Sequence, residues 1–224
     1  MPSAGDHPGR DESSRRQAER HGPSTTAKGS PVLRPLQQAD KGRAKDLLKD
    51  TIEQTDAEAL SLYLVEPSPT NRFGIGLIAE INGTVVGVAA CAGIVLGLPE
   101  LEVPEEEITR KIGILVVLAV DPDYRRQGVG ALLCDTLVTT FQDGGHTLML
   151  AQLAALKHDL VPLYESWGWT VGAVGAGLAI EIGPHQLVIA EDPDTRTAWA
   201  PLTAKVHTIP GLTPWQPIVA GMFD

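Results

Sequence analysis

Hydrophobic positions along the chain change their period in a way that lays out a mixed fold. Val32–Pro35 is short and β-like. From about Asp40 to Leu64, the residues Ala44, Leu47, Leu48, Ile52, Leu60 and Leu64 form a broken stripe at helical spacing, which predicts an amphipathic helix. Two β-rich runs, Phe73–Ile81 and Thr84–Ile94, flank Asn82-Gly83, a dipeptide that tolerates positive φ and so predicts a tight two-residue hairpin. Ile112–Val120 is apolar and β-branched almost throughout, the pattern of a central strand covered on both faces. The period then turns helical. Leu133, Leu137 and Phe141 recur at i+4 with Cys134 and Val138 beside them, predicting a helix over about 129–141 that ends at Gly144-Gly145. Thr147–Leu153 reads as the next buried strand. Asp159 reads as the N-cap of a short helix reaching Trp167, with Pro162 in its first turn and Gly168 as its stop. Thr170–Ile182 and Gln186–Ala190 are β-like runs weakened by the glycines around them. Antiparallel strands therefore precede a parallel crossover, and the fold class is mixed α/β (α+β).

The ends of the chain differ from this middle. Residues 1–30 are Gly, Ser, Pro and charge with no periodic apolar face, and are expected to be a disordered tail. Residues 31–190 hold the patterned domain. Residues 191–224 are rich in Pro and Thr, with Trp199 and Trp215 as isolated anchors, and are expected to be an extension of uncertain structure. No apolar run approaches the ~18–20 residues that span a bilayer, and the first thirty residues lack the apolar core of a secretory signal. Cys91 and Cys134 lie in apolar surroundings and read as buried free thiols, so a reducing cytoplasm is the expected compartment. No metal-ligand spacing occurs, and His146 and His158 read as ordinary surface histidines. The net charge of −10, made up of +1 over residues 1–30 and −11 over residues 31–224, speaks against a general nucleic-acid binder, which needs a basic face.

One segment carries chemistry: residues 117–141, VLAVDPDYRRQGVGALLCDTLVTTF. A buried strand turns through Arg125-Arg126-Gln127-Gly128-Val129-Gly130 into an amphipathic helix. The first N–H groups of a helix have no internal partner and sit at the positive end of its dipole, so this is an anion cradle. Glycines at 128 and 130 keep side chains off the backbone, and Arg125 and Arg126 add positive charge to an acidic domain. A dinucleotide-binding loop would need a third glycine where Leu133 stands. A nucleotide-hydrolase phosphate loop would need Gly-Lys-Ser/Thr, which is absent. A basic loop leading into a Gly-rich helix start, with no ligand, is the remaining alternative.

Arg125, Gly128 and Gly130 match the Arg/Gln-x-x-Gly-x-Gly/Ala signature of the GCN5-related N-acetyltransferases (GNAT). Residues 118–124, LAVDPDY, resemble that family's fourth strand and its exit. Residues 163–169, LYESWGW, resemble its LYE-x-x-GF helix end with tryptophan for phenylalanine. The likeness spans about residues 32–190 and is strongest over 114–169. It implies the GNAT fold, a mixed sheet of six to seven strands splayed between the fourth and fifth, with acetyl-CoA as co-substrate and no metal.

The resemblance also implies roles. Leu118, Ala119 and Val120 would pair with the pantetheine arm. Arg125 and the loop and helix start, Arg126, Gln127, Gly128, Val129, Gly130 and Ala131, would hold the pyrophosphate. Tyr164 matches the tyrosine that protonates the departing thiolate in many members, a sensible role for a phenol of pKa ~10. A primary amine of a small molecule or peptide would attack the thioester directly, with the oxyanion on the Val120 N–H. The base is unassigned. Relatives that acetylate a ribosomal protein's N-terminus carry a glutamate where Gln152 stands here, and an asparagine common in the family is replaced by Lys157. Glu80 could serve, while Glu105, Glu106 and Glu107 read as a solvated acidic loop. Many relatives are dimers, so a homodimer is a possible assembly, with neither nucleic acid nor membrane as partner. The competing function is a non-catalytic acyl-CoA-binding module on the same fold.

Overall fold

The hairpin forms where Asn82-Gly83 asks for it. In the computed structural model, which describes residues 29–49, 74–93, 111–182, 185–189, 192–211 and 217–222, β2 (Ile75–Ile81) and β3 (Thr84–Gly93) pair antiparallel. Asn82 and Gly83 turn between them with φ of 53° and 77°, the two left-handed positions of a type I′ turn. β1 (Val32–Pro35) adds to the far side of β2. The central apolar run becomes β4 (Ile112–Val120), antiparallel to β3 and parallel to β5 (Leu148–Ala154).

Between those parallel strands runs α2 (Val129–Asp143), and before β2 lies α1 (Lys41–Lys49). The helical stripe expected beyond Lys49, through Leu64, lies outside the described residues, as do Glu105, Glu106, Glu107 and Trp215. The short helix α3 (Leu160–Ser166) begins after Asp159, whose side chain makes no capping bond, and stops at Gly168 with φ 81°.

The β-like run 170–182 is not one strand. Its glycines at 172 and 175 break it into β6 (Thr170–Val171) and β7 (Leu178–Ile182), which join different sheets. β8 (His185–Ile189) pairs antiparallel with β7. Thr195–Pro201 forms β9, which inserts between β5 and β6, so part of the stretch after residue 190 is integral to the main sheet. Trp199 is accordingly a core residue, 3% exposed, with its indole N–H donating to Thr208 Oγ1 at 2.9 Å. β10 (His207–Ile209) and β11 (Ile218–Ala220) complete a second sheet. The seven-stranded sheet runs β1-β2-β3-β4-β5-β9-β6 and the four-stranded one β10-β11-β7-β8.

Each face of the main sheet has its own core. α2 and α3 cover one face through Val129, Leu133, Leu137, Phe141 and Tyr164. Gly113 faces this helix so closely that a Cβ would lie 2.5 Å from Phe141 Cδ1, and glycine is what lets strand and helix meet. On the other face, α1 packs Ala44, Leu47 and Leu48 over Val88, Val117 and Ala119. The second sheet covers Ile112, Leu148, Leu150 and Trp199 on that face with Leu178, Ile180 and Val219. Among the described residues, no helix is long and apolar enough to cross a membrane.

Candidate active site

β4 and β5 run side by side for only four residue pairs, Ile112 with Leu148 through Leu115 with Ala151. Both strands go on: β4 reaches Val120 on β3, and β5 reaches Ala154 on β9. The cause of the parting lies in β4. Its pairing with β3 jumps from Cys91–Leu115 to Ala90–Val117, which leaves Val116 as an extra residue, a β-bulge. A bulge bends its strand and raises its twist, and here parallel pairing stops one residue before it. The same bulge switches side-chain parity. Gly113 and Leu115 face α2 before it, and Leu118 and Val120 pack on that same cluster after it.

The main-chain groups beyond the bulge can be assigned. Asp121 N–H donates to Val86 O at 2.9 Å, so Val120, paired with Gly87, sits at a non-hydrogen-bonded position toward β3. Its N–H and C=O therefore point to the other edge, and alternation places those of Leu118 there too. Ala119 turns its main chain to β3 and its small side chain, 1% exposed, to α1. Of the three residues expected to grip a pantetheine arm, two present backbone groups at the free edge.

At the end of that edge the chain makes the cradle. Asp121 opens a 3₁₀ turn, Pro122–Tyr124, by accepting the Asp123 N–H at 3.0 Å. Arg43 of α1 reaches Asp121 with Nη2 at 2.5 Å and neutralises a carboxylate that would repel an anion nearby. Arg126 takes φ 57° and Gly128 φ 81°. Left-handed residues alternating with others turn successive N–H groups toward one side, a main-chain nest for anions. Among the described residues, no hydrogen bond uses the N–H of Arg126, Gln127, Gly128, Val129, Gly130 or Ala131; the first that α2 satisfies is Leu132, bonded to Gly128 O at 2.9 Å. A Cβ on Gly128 would meet nothing within 4 Å, whereas one on Gly130 would point inward, 3.7 Å from Val120 Cγ2 and 3.9 Å from Trp167. The Arg125 side chain lies on the strand end, its Nε donating to Val120 O at 3.0 Å.

Tyr164 hangs from α3 onto the face covered by α2, 6% exposed. Trp167 lies tilted against it at 5.2 Å between ring centroids, and Trp169 meets it edge-on at 5.3 Å. Trp167 thus touches both the candidate proton donor and the ground under Gly130. Burial, and then the neighbouring thiols of Cys134 and Cys91, push the phenol well above its ordinary value, so it stays protonated. Both cysteines are free and buried. Burial raises the Cys91 thiol, and burial followed by Asp135 raises Cys134 to about 12 against the pull of the Trp169 indole N–H. Neither is a thiolate nucleophile at neutral pH.

The other candidates fall elsewhere. Glu80 is on β2, two strands from β4 and three from β5, and accepts from Arg34 Nη2 at 2.6 Å. Gln152 is exposed on β5, one residue past the last parallel pair, at the mouth of the gap. Lys157 and His158 are exposed. His146 is buried, 7% exposed, contrary to its reading as a surface residue; it follows the helix end, with Nδ1 3.1 Å from Phe141 O and its ring on Phe141. Among the described residues, no group of three or more His, Cys, Asp or Glu could hold a metal ion. The bulge at Val116, the Trp167 contact and the Arg125–Val120 bond carried no mark in the sequence, because an extra valine in an apolar run looks like the rest of the run.

Comparison with known proteins bears on this geometry. The family model for the acetyltransferase (GNAT) family matches residues 41–169, more than half of the chain. The chain belongs to the GNAT family. It is 33% identical over 57 residues to the [ribosomal protein bS18]-alanine N-acetyltransferase of Escherichia coli K12; this match covers 25% of the chain and 38% of that enzyme's length. In fold it is similar to a candidate GNAT acetyltransferase from Desulfovibrio desulfuricans (TM-score 0.57, 14% identity, 78% of this chain and 100% of the other). It is also similar to a candidate acetyltransferase from Salmonella typhimurium solved with its cofactor acetyl-CoA (TM-score 0.51, 17% identity, 83% and 100%). Members of the family use acetyl-CoA, and the seven-stranded mixed sheet, with β4 parallel to β5, matches that fold.

Proposed function

We propose that this chain is an acetyl-CoA-dependent N-acetyltransferase acting on a primary amine of a small molecule or a peptide. The observation that carries the reading is the meeting, at the end of β4, of a free strand edge with six main-chain N–H groups lacking partners among the described residues. The residues fit the donor. The nest of 126–131 offers N–H groups to a diphosphate, Gly128 leaves open space above them, and Leu118 and Val120 offer strand pairing to an amide-bearing arm. Bound acetyl-CoA would supply the acyl group already activated as a thioester.

This chain's own groups then have simple tasks. A free-edge N–H donates to the oxyanion that develops when the amine adds to the carbonyl; because the diphosphate end of the arm lies beside Val120, the Leu118 N–H, deeper along β4, serves this role better than the Val120 N–H expected from the sequence. Tyr164, kept neutral by burial, gives its proton to the departing sulfur. Proton removal from the amine falls to no carboxylate among the described residues near the gap: Glu80 is held by Arg34, and Gln152 has no basic form at neutral pH. An acceptor that arrives already neutral needs no such base. The limited match to the bS18-alanine enzyme favours a peptide N-terminus over an ε-amine, since an α-amine of pKa ~8 is far more often neutral at pH 7 than a lysine.

A thiol-release assay with acetyl-CoA and a panel of peptide and small-molecule amines, read together with product mass, tests the reading. Turnover with a mass gain of one acetyl group is expected for at least one amine. Tight coenzyme A binding with no turnover across the panel would assign the chain instead as a non-catalytic acyl-CoA-binding module.

A further inference from the structure

Arg125 occupies the place where the strand edge and the anion nest meet. Its Nε donates to Val120 O at 3.0 Å, and that carbonyl points away from β3 into the gap left by β5. It is the last acceptor on the free edge. An incoming extended arm that pairs with β4 meets the guanidinium there before it meets the strand. The side chain is exposed, so it is held by this bond and not by packing, and it roots one residue before the six unpartnered N–H groups.

We propose that Arg125 is a donor-specificity residue: its guanidinium closes the Val120 end of β4 to thioester arms that carry no diphosphate, and leaves when a diphosphate settles in the adjacent nest. This rests on the acyl-CoA reading above and goes beyond it, because it assigns a penalty as well as an attraction to the same side chain. The exchange has a clear direction. The resting bond joins a cation to a neutral carbonyl in solvent, whereas a diphosphate offers the same guanidinium two charge-assisted bonds of fork geometry. An uncharged pantetheine arm offers nothing in return for the bond it breaks. Acyl-CoA would thus be admitted over short acyl thioesters by a side chain that contacts neither the acyl group nor the amine.

The test compares coenzyme A and pantetheine, which share the arm and differ in the phosphates. Wild type, Arg125→Ala and Arg125→Met (which keeps the stem and loses the donors) would be titrated with each, following the amide resonances of Leu118 and Val120 so that millimolar affinities are readable. The two ligands are expected to move in opposite directions. Coenzyme A weakens in both variants and loses part of its salt dependence, while pantetheine tightens roughly two- to tenfold, the equilibrium equivalent of one net hydrogen bond released. Unchanged or weaker pantetheine binding in both variants, with wild-type coenzyme A affinity intact, would overturn the proposal and leave Arg125 as an anchor of the loop. Failure of the wild type to bind coenzyme A at all would overturn the acyl-CoA reading itself, a distinct result.

Discussion

Gly128 and Gly130 stand two residues apart in one signature, yet the structure gives an added methyl opposite fates at the two positions. At Gly128, φ is 81° and a Cβ would touch nothing within 4 Å. The cost of Gly128→Ala is therefore conformational, about 1–2 kcal/mol for holding an L-residue in the left-handed region. For a chain of this size that lowers Tm by roughly 2–8 °C. Relief of the strain opens the loop and turns N–H groups out of the nest, and losing one charge-assisted bond weakens coenzyme A by about tenfold or more. At Gly130 the Cβ would point under the loop to Val120 and Trp167 at ordinary contact distances, and the residue is already helical. Gly130→Ala should raise stability by about 0.4–1 kcal/mol through reduced freedom of the unfolded chain, and leave affinity within about twofold. Thermal melts with and without coenzyme A, and calorimetric titration, read all four numbers. Equal losses of affinity in the two variants, or a Gly128→Ala protein that binds as well as wild type, would refute the nest.

Other outcomes follow from neighbouring contacts. Tyr164→Phe should lower kcat by about 10²–10⁴ and leave coenzyme A affinity within about twofold; an unchanged kcat would make Tyr164 a core residue only. Because burial raises that phenol and the amine must arrive neutral, kcat/KM should climb with pH to the pKa of the acceptor, with no alkaline fall below about pH 10; a fall near neutrality would reveal a different acid. Gly113→Ala drives a methyl to 2.5 and 2.7 Å from the Phe141 ring and should destabilise by about 1–3 kcal/mol, with Phe141→Leu recovering part of the loss in a double-mutant cycle. Arg34→Met strands the buried Asp40 carboxylate, which Arg34 grips at 2.6 and 2.7 Å, and should cost about 1–3 kcal/mol at neutral pH. Arg34 holds the Asp40 carboxyl below its usual range, so this stabilisation is full above about pH 4 and is lost as pH falls through the depressed value. The difference in Tm between wild type and variant should therefore shrink on acidification; a constant difference would remove Asp40 from the account.

Local signals were legible where the backbone itself demanded a residue. Asn82-Gly83 specified the hairpin turn, the stripe of Leu133, Leu137 and Phe141 specified α2 and its buried face, and Gly128 marked the helix start. Features set by long-range pairing were not. Thr170–Ile182 reads as one β-like run weakened by its glycines, but β6 has β9 for a partner and β7 has β8 and β11, and which sheet each part joins is set by partners remote in the chain. β9 was hidden in a Pro- and Thr-rich stretch because its one strong mark, Trp199, is a single residue whose burial depends on the second sheet. The site divides the same way. The shape of the candidate cradle could be read from its glycines, which act through the backbone, and its charge from Arg125 and Arg126. The gap beside it arises from one unpaired valine at position 116, which is visible only in the register of β4 against β3.

The most direct measurement is an amide-resolved titration of ¹⁵N-labelled protein with acetyl-CoA. The account predicts saturable shifts at the N–H groups of residues 126–131 and at Leu118 and Val120, with Ala119, whose N–H is turned to β3, moving least along that strand. Binding that leaves those amides in place and perturbs another part of the molecule, or no binding at millimolar acetyl-CoA, would contradict it.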